Sequence, residues 1–390
     1  MSTNVNISGA PLDGIVVADF SRVLAGPLAT QTLADLGARV IKVERPGSGD
    51  DTRSWGPPYS DNGTATYFES VNRNKESITL DLTDPADRGA ARALALRADV
   101  IVENFKVGTL EKLGLGHDDL AKENPGLITA SISGFGSKGG AAIPGYDFVV
   151  QAVGGLMHIT GEQSGDPMKA GVALVDVLTA KDAAIGILAA LRRRELTGEG
   201  AHLEVNLLSS LQGALVNQAQ AFLGAGKDPG RLGNVHPSIA PYQSLRCADA
   251  PLAVACGNDG QFARLCAELG IPELATDERF DTNPHRVQHR EDLQTHLEDA
   301  LAADTAASWQ QRLTAVGVPA GKVATIGEGV AYAESLGLDP VLELHDGDGS
   351  PVARGVRNPV SWDPPIPVPA RAAPALGADN DDVGHWLNDA

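Results

Sequence analysis

Apolar and polar positions alternate in blocks along the first half of the chain. Residues 14–20 form an apolar, β-branched run, residues 27–36 follow a helical pattern, and residues 38–44 return to strand character. That is one βαβ unit. Residues 77–82, 85–97 and 99–103 predict a second unit, and residues 127–133 a further strand. Such alternation predicts an α/β fold, a large Rossmann-like domain with a parallel sheet and helices on its faces. The Gly26–Pro27 pair suits a helix start, because proline is tolerated in the first turn. A dinucleotide site in the first unit would need Gly-x-Gly-x-x-Gly after the strand, yet residues 21–27 hold one glycine, which argues against a nicotinamide-dependent dehydrogenase.

Residues 183–194 read as a buried helix closing on Arg192, Arg193 and Arg194. Just before it, Asp176 emerges from an apolar run at the expected helix start, where the positive end of the macrodipole favours an ionised carboxylate. Two roles fit. Asp176 caps the helix, or it is a nucleophile toward an activated acyl group. Residues 224–233 are rich in glycine and proline and read as a linker; two short strands, at 242–246 and 252–256, and several helices up to about residue 315 follow it. These predict a second, smaller α+β domain. Residues 364–374 are proline-rich and expected to be extended.

Composition narrows the function. A chain of 390 residues exceeds most single cores, so two or more lobes are expected. With 43% hydrophobic and 21% charged residues the chain has ordinary globular composition, and no apolar run approaches the roughly 20 residues that span a bilayer. Residues 1–8 lack a signal-peptide pattern, which predicts a cytoplasmic protein. Cys247, Cys256 and Cys266 have no CxxC spacing and are expected to be reduced and structural, and no histidine has metal-ligand spacing, so no metal is expected. The formal charge of −19 disfavours a nucleic-acid partner but says nothing against a small anionic ligand in a local basic pocket.

Several co-linear segments carry a resemblance. They are Pro11 to Phe20, Ala25 to Pro27, Leu36 to Glu44, Asn72 to Lys75, Ala98 to Phe105, Gly145 to Gln151, Thr197 to Gly200, His236 to Tyr242, Gly257 to Phe262 and Pro374 to Gly377. In this order they resemble the class III CoA-transferases, the family of formyl-CoA transferase and its racemase relatives, over nearly the whole chain. The resemblance implies coenzyme A, as acyl-CoA, for a substrate, no tightly bound cofactor, and Asp176 as the nucleophile. It also implies an interlocked homodimer. The expected ranges are 1–224 for the first part of the CoA-binding domain, 225–325 for the small domain covering the partner's CoA site, and 326–390 returning to the large domain.

For CoA binding the resemblance implies Val23, Ala25, Arg45, Asn104, Phe105, Lys112 and Tyr146. Arg45 follows a strand end, where open α/β sheets bind ligands, and alternatively pairs with Asp50 or Asp51. Phe105 stacks on adenine or packs in the core. Lys112 stands where the formyl-CoA enzyme has arginine, keeping charge but losing the fork. The glycine-bearing loop with Gly257, Gly260 and Gln261 is implied to close over the nucleophile and stabilise an oxyanion; the alternative is a strand-to-helix turn capped by Asn258 or Asp259.

Departures from the family pattern refine the expectation. The racemase branch places histidine where Tyr146 stands, and a phenol is a poor proton shuttle at neutral pH, which disfavours 2-methylacyl-CoA racemisation, the alternative activity. Leu24 replaces a glutamine of the formyl-CoA enzyme, so a formate or oxalate acceptor is not implied. The 236–242 stretch resembles the branch acting on dicarboxylic acids such as succinate, malate or glutarate derivatives, and Arg22, Arg53 and Arg73 are available for a second carboxylate. The expected activity is CoA transfer from an acyl-CoA to a carboxylic acid. A noncatalytic acyl-CoA-binding protein is the third reading.

Overall fold

A computed structural model describes residues 9–61 and 63–389. Residues 1–8, which bear on the expected localisation, lie outside the described residues. The chain forms two compact units: one takes in the chain up to Leu156, Lys169–Lys227 and the chain from Leu338 on, the other Met157–Met168 and Asp228–Gly337. Residues 326–337, expected to return to the large domain, thus belong to the second unit, as does the 157–168 excursion.

The first unit is built on a six-stranded sheet. Its strands are β1 (Val16–Asp19), β2 (Arg39–Glu44), β3 (Lys75–Thr79), β4 (Val100–Glu103), β5 (Ile128–Ser133) and β6 (Ala201–Asn206), in the order β3-β2-β1-β4-β5-β6. Every pairing is parallel. Successive residues of the central strands feed two cores: Val17, Val40, Val100 and Val102 pack with α1 (Ala25–Asp35) and α4 (Leu174–Thr197), while Ala18, Ile41 and Ile101 pack with α2 (Pro85–Arg97). Burial on both faces explains why these strands are apolar runs instead of alternating ones. The order reverses between β1 and β4, and the crevice beyond the carboxyl ends of those two strands is where a doubly wound sheet takes its ligand.

Charged groups are buried in this sheet too. Lys75 pairs with Asp19 at 3.0 Å and Lys42 with Asp50 at 2.9 Å, all four buried. Burial works against charge on Asp19, but the Lys75 and Lys42 ammonium groups and the Ser21 and Thr30 hydroxyls overcome it and hold the carboxyl down at about 2. Lys42 also donates to the Ser21 carbonyl at 2.9 Å. The network therefore fixes the turn that leaves β1.

The second unit has its own core, around the antiparallel sheet of β7 (Tyr242–Arg246), β8 (Pro251–Ala255) and β9 (Ala320–Lys322) and helices including α7 (Asp259–Glu268). A hairpin, β10 (Val341–His345) and β11 (Pro351–Val356), precedes the proline-rich stretch in the first unit.

Candidate active site

Two chain segments meet at the reversal point. Arg22 follows β1 and Asn104 follows β4; the Arg22 N–H donates to Asn104 Oδ1 at 2.8 Å, and Asn104 Nδ2 donates to the Arg22 carbonyl at 2.7 Å. The next residue, Val23, has a φ of 71°, a left-handed conformation that β-branched residues rarely adopt. Such strain costs about 1–3 kcal/mol and persists only where surroundings impose it. Here the Val23 N–H donates to the buried Asp50 carboxylate at 3.2 Å, and Asp50 is itself held by Lys42. A close approach completes the turn: a Cβ on Gly26 would lie 2.2 Å from the Ser21 Cβ, so only glycine lets α1 start there.

These residues line a cavity of about 340 Å³, with Arg22, Val23, Ala25 and Asn104 on one side and Tyr146, Asp147 and Asp176 also in its wall. The 134–146 loop supplies much of the lining. It doubles back because Gly134 and Gly145 cross without side chains; a Cβ on Gly145 would lie 2.4 Å from the Gly134 Cα.

Asp176 occupies the first turn of α4, the longest helix at 24 residues, but does not cap it. The free N–H groups of Val175 and Asp176 donate instead to Asp147 Oδ1, at 2.7 and 3.2 Å. Gln151 holds the other oxygen, donating from Nε2 to Asp147 Oδ2 at 2.6 Å, while its Oε1 accepts from the Ala170 N–H at 2.8 Å. The capping role therefore belongs to Asp147. Among the described residues, no hydrogen bond or ion pair engages the Asp176 carboxylate. Burial, and then the Asp147 carboxylate, push the Asp176 carboxyl up to about 7. This reverses the expectation that the helix start favours the ionised form. Desolvation and a like charge outweigh the dipole.

A second cleft, of about 600 Å³, adjoins the first through shared residues Arg22 and Phe105. Arg45, Phe105 and Lys112 line it, with Thr83 and Thr109. Phe105 is half-buried under the Arg22 guanidinium, 5.4 Å from the ring centroid, and so is neither a full core residue nor free. Arg45 is exposed, and neither alternative partner engages it: Asp50 pairs with Lys42 and Asp51 with Arg22.

Of the residues singled out from the sequence, Val23, Ala25, Asn104, Phe105, Tyr146 and Asp176 thus share one cavity, and Arg45 and Lys112 the adjoining cleft. Asn104 spends its amide on the Arg22 backbone. Gly257, Gly260 and Gln261 belong to the second unit. There Asn258 caps α7, accepting from the Gln261 N–H at 2.9 Å, and the Gly257 N–H donates to Gln261 Oε1 at 2.8 Å. Sequence reasoning missed Asp147, Gln151 and the Lys42–Asp50 pair as site-building residues. The Gly145-Tyr146-Asp147 triplet was the available signal for Asp147 at a helix start; that it meets the start of the Asp176 helix, some 30 residues on, follows only from the fold.

The sequence profile of CoA-transferase family III matches residues 12–380. A succinate–glutarate CoA-transferase of Agrobacterium fabrum is 44% identical over 94% of this chain and 93% of its own length. An acetyl-CoA:oxalate CoA-transferase of Acetobacter aceti is 43% identical over 85% of this chain and 86% of its own. The crystal structure of a CAIB/BAIF family protein from Brucella suis superposes with a TM-score of 0.88 at 42% identity, covering 97% of this chain and all of that one. The fold and the match over its length define the class: the chain belongs to CoA-transferase family III. It is an acyl-CoA:carboxylate CoA-transferase.

Proposed function

We propose that the enzyme moves CoA from a donor thioester such as succinyl-CoA to a dicarboxylic acid, with Asp176 as the covalent carrier. The observation that carries this reading is a carboxylate of raised basicity, without a hydrogen-bond or ion-pair partner among the described residues, in a cavity at the strand-order reversal. Desolvation leaves such a carboxylate more reactive toward a carbonyl than one in water. Asp176 attacks the thioester carbon; the C–S bond breaks and CoA leaves as thiolate, giving a mixed anhydride. The thiolate attacks the Asp176 carbonyl and expels the donor acid, leaving an aspartyl-CoA thioester. The acceptor carboxylate attacks that carbonyl and releases thiolate, which then attacks the acceptor's acyl carbon and restores Asp176. Each intermediate stays activated, so no other energy source enters.

CoA binding follows from the two clefts. Arg45 and Lys112 would face the phosphates in one, Phe105 lies between, and Val23, Ala25, Asn104 and Tyr146 would line the thioester arm beside Asp176. Leu24 adds an apolar wall that suits the methylenes of an acid longer than oxalate. Gly257, Gly260 and Gln261 remain the proposed lid; for the Gly257 N–H to meet an oxyanion it would exchange its bond to Gln261. A homodimer in the cytoplasm completes the reading; the dimer is supported by helices with no buried residue and exposed apolar side chains: Phe222 and Leu223 on 216–225, Ile326 and Tyr332 on 326–335. Among the described residues no helix is long and apolar enough to cross a membrane.

The test incubates the protein with succinyl-CoA and a panel of acids, including glutarate, malate, oxalate and acetate, and reads new thioesters by mass spectrometry. Dicarboxyl-CoA products that vanish with Asp176→Ala support the reading. Deuterium uptake at the α-carbon of a 2-methylacyl-CoA with no new thioester would replace it with racemisation.

A further inference from the structure

Of the three arginines available for a second carboxylate, the fold occupies two. Arg73 is buried with both ends of its fork on Asp35, at 2.9 and 2.5 Å. Arg53 grips Glu44 at 2.8 and 2.7 Å and lies 3.8 Å over the Phe68 ring. Neither lines the cavity or the cleft. Arg22 differs on every count. It shares the cavity wall with Asp176, its backbone is pinned by Asn104, and its guanidinium rests on Phe105. Among the described residues its only ion pair is Nη1 to Asp51 at 3.5 Å, the outer limit of a hydrogen bond. Its Nε is buried and has no hydrogen-bond partner among the described residues.

A buried guanidinium N–H without an acceptor is costly, and a ligand oxygen or an ordered water reaching it after a small side-chain shift would satisfy it. The Nε–Nη2 edge is one of the two faces on which a guanidinium takes a carboxylate with paired bonds, and Asp51 uses the other side. The cavity's other cation, Lys106, is exposed and has no such fixed fork. An acid anchored at Asp176 by one end brings its second carboxylate into the same part-dry space, where an unpaired charge is costly.

We propose that Arg22 reads the distal carboxylate of a dicarboxylic acid whose other carboxyl reacts at Asp176, and so sets the preference for dicarboxylic over monocarboxylic acceptors. This rests on the reading of Asp176 as the covalent carrier. Because Arg22 also lines the adjoining cleft, a CoA phosphate could offer it the same oxyanion chemistry, and the test separates the two.

Wild type, Arg22→Gln and Arg22→Lys are assayed with acetyl-CoA as donor, which has no second carboxylate, and with glutarate or valerate as acceptor, matched in length. The ratio of kcat/KM for glutarate to that for valerate should fall about 30-fold in Arg22→Gln, the low end of the cost of removing one partner of a desolvated charge pair. The loss should appear in the KM for glutarate, and Arg22→Lys, which keeps charge without the fork, should recover part of it. A ratio in Arg22→Gln within about threefold of wild type overturns the proposal, as does an equal loss for both acceptors with a raised KM for acetyl-CoA, which assigns Arg22 to a phosphate. If wild type forms no thioester with any acid, the transfer reading itself fails, and this proposal with it.

Discussion

Replacing Asp176 with asparagine should stabilise the folded protein, and increasingly so as pH rises. Burial and the Asp147 charge lift the Asp176 carboxyl from its ordinary 3.8 to about 7. The folded state therefore holds a proton that the unfolded chain releases, and wild-type stability declines across the window between those values before levelling above it. Taken in full, that shift is worth about 4 kcal/mol; the side chain is only part-buried, and solvent screening brings the expected cost nearer 2 kcal/mol. Asparagine is neutral throughout and close in shape, and no ion pair is lost with the charge. Urea unfolding of both proteins at one protein concentration, at about pH 5 and about pH 8.5, measures the difference. The advantage of Asp176→Asn should widen by about 1–2.5 kcal/mol between those two conditions. A difference that stays constant, or narrows as pH rises, would refute the claim that the fold holds this carboxyl against its charge.

Other outcomes follow from the same geometry. The rate of acyl-CoA consumption, read as kcat/KM, should rise with pH through an inflection near 7 as Asp176 ionises, and Asp147→Asn, by removing the neighbouring charge, should move the inflection to lower pH. Asp50→Asn takes the ion-paired carboxylate from Lys42, leaving Asp19 and Glu44 as its remaining counter-charges, and keeps one carbonyl oxygen for the Val23 N–H, so it should destabilise by about 1–3 kcal/mol in urea unfolding. Pairing it with Lys42→Met should restore only part of that loss, because Lys42 also supports the Asp19 charge and the Ser21 carbonyl. Gly145→Ala would force a methyl to 2.4 Å from the Gly134 Cα, so a lowered unfolding midpoint together with loss of transferase activity is expected, while Gly139→Ala, which meets nothing, should be benign.

Much of the fold was legible because the central strands are buried on both faces. Their apolar runs at β1, β2, β4 and β5 announce themselves, and the helix at Pro85–Arg97 shows its Asp84 cap and first-turn proline. The strand β6 was not read, since Ala201–Asn206 alternates apolar and polar residues at the sheet edge, where one neighbour suffices. The β10–β11 hairpin was hidden by its partly polar strands, the second of which contains Gly355. Charged residues defeated pattern reading most thoroughly: Lys42 and Lys75 sit in strands where a lysine suggests solvent, yet both are fully buried, because their partners come from other parts of the chain. At the site, Asp176 stood out as a lone carboxylate in an apolar run. That its helix cap would be Asp147, and that Arg22 alone of three arginines would share its cavity, depended on tertiary pairings that spacing does not encode.

The central claim is that CoA passes through a covalent bond to Asp176, and the most direct measurement is the mass of the peptide carrying that residue after quenching the enzyme with succinyl-CoA. The account predicts a CoA adduct on Asp176 that discharges when a dicarboxylic acceptor is added, with matching appearance of the new thioester. Turnover without any adduct at Asp176, and retained in Asp176→Ala, would contradict it.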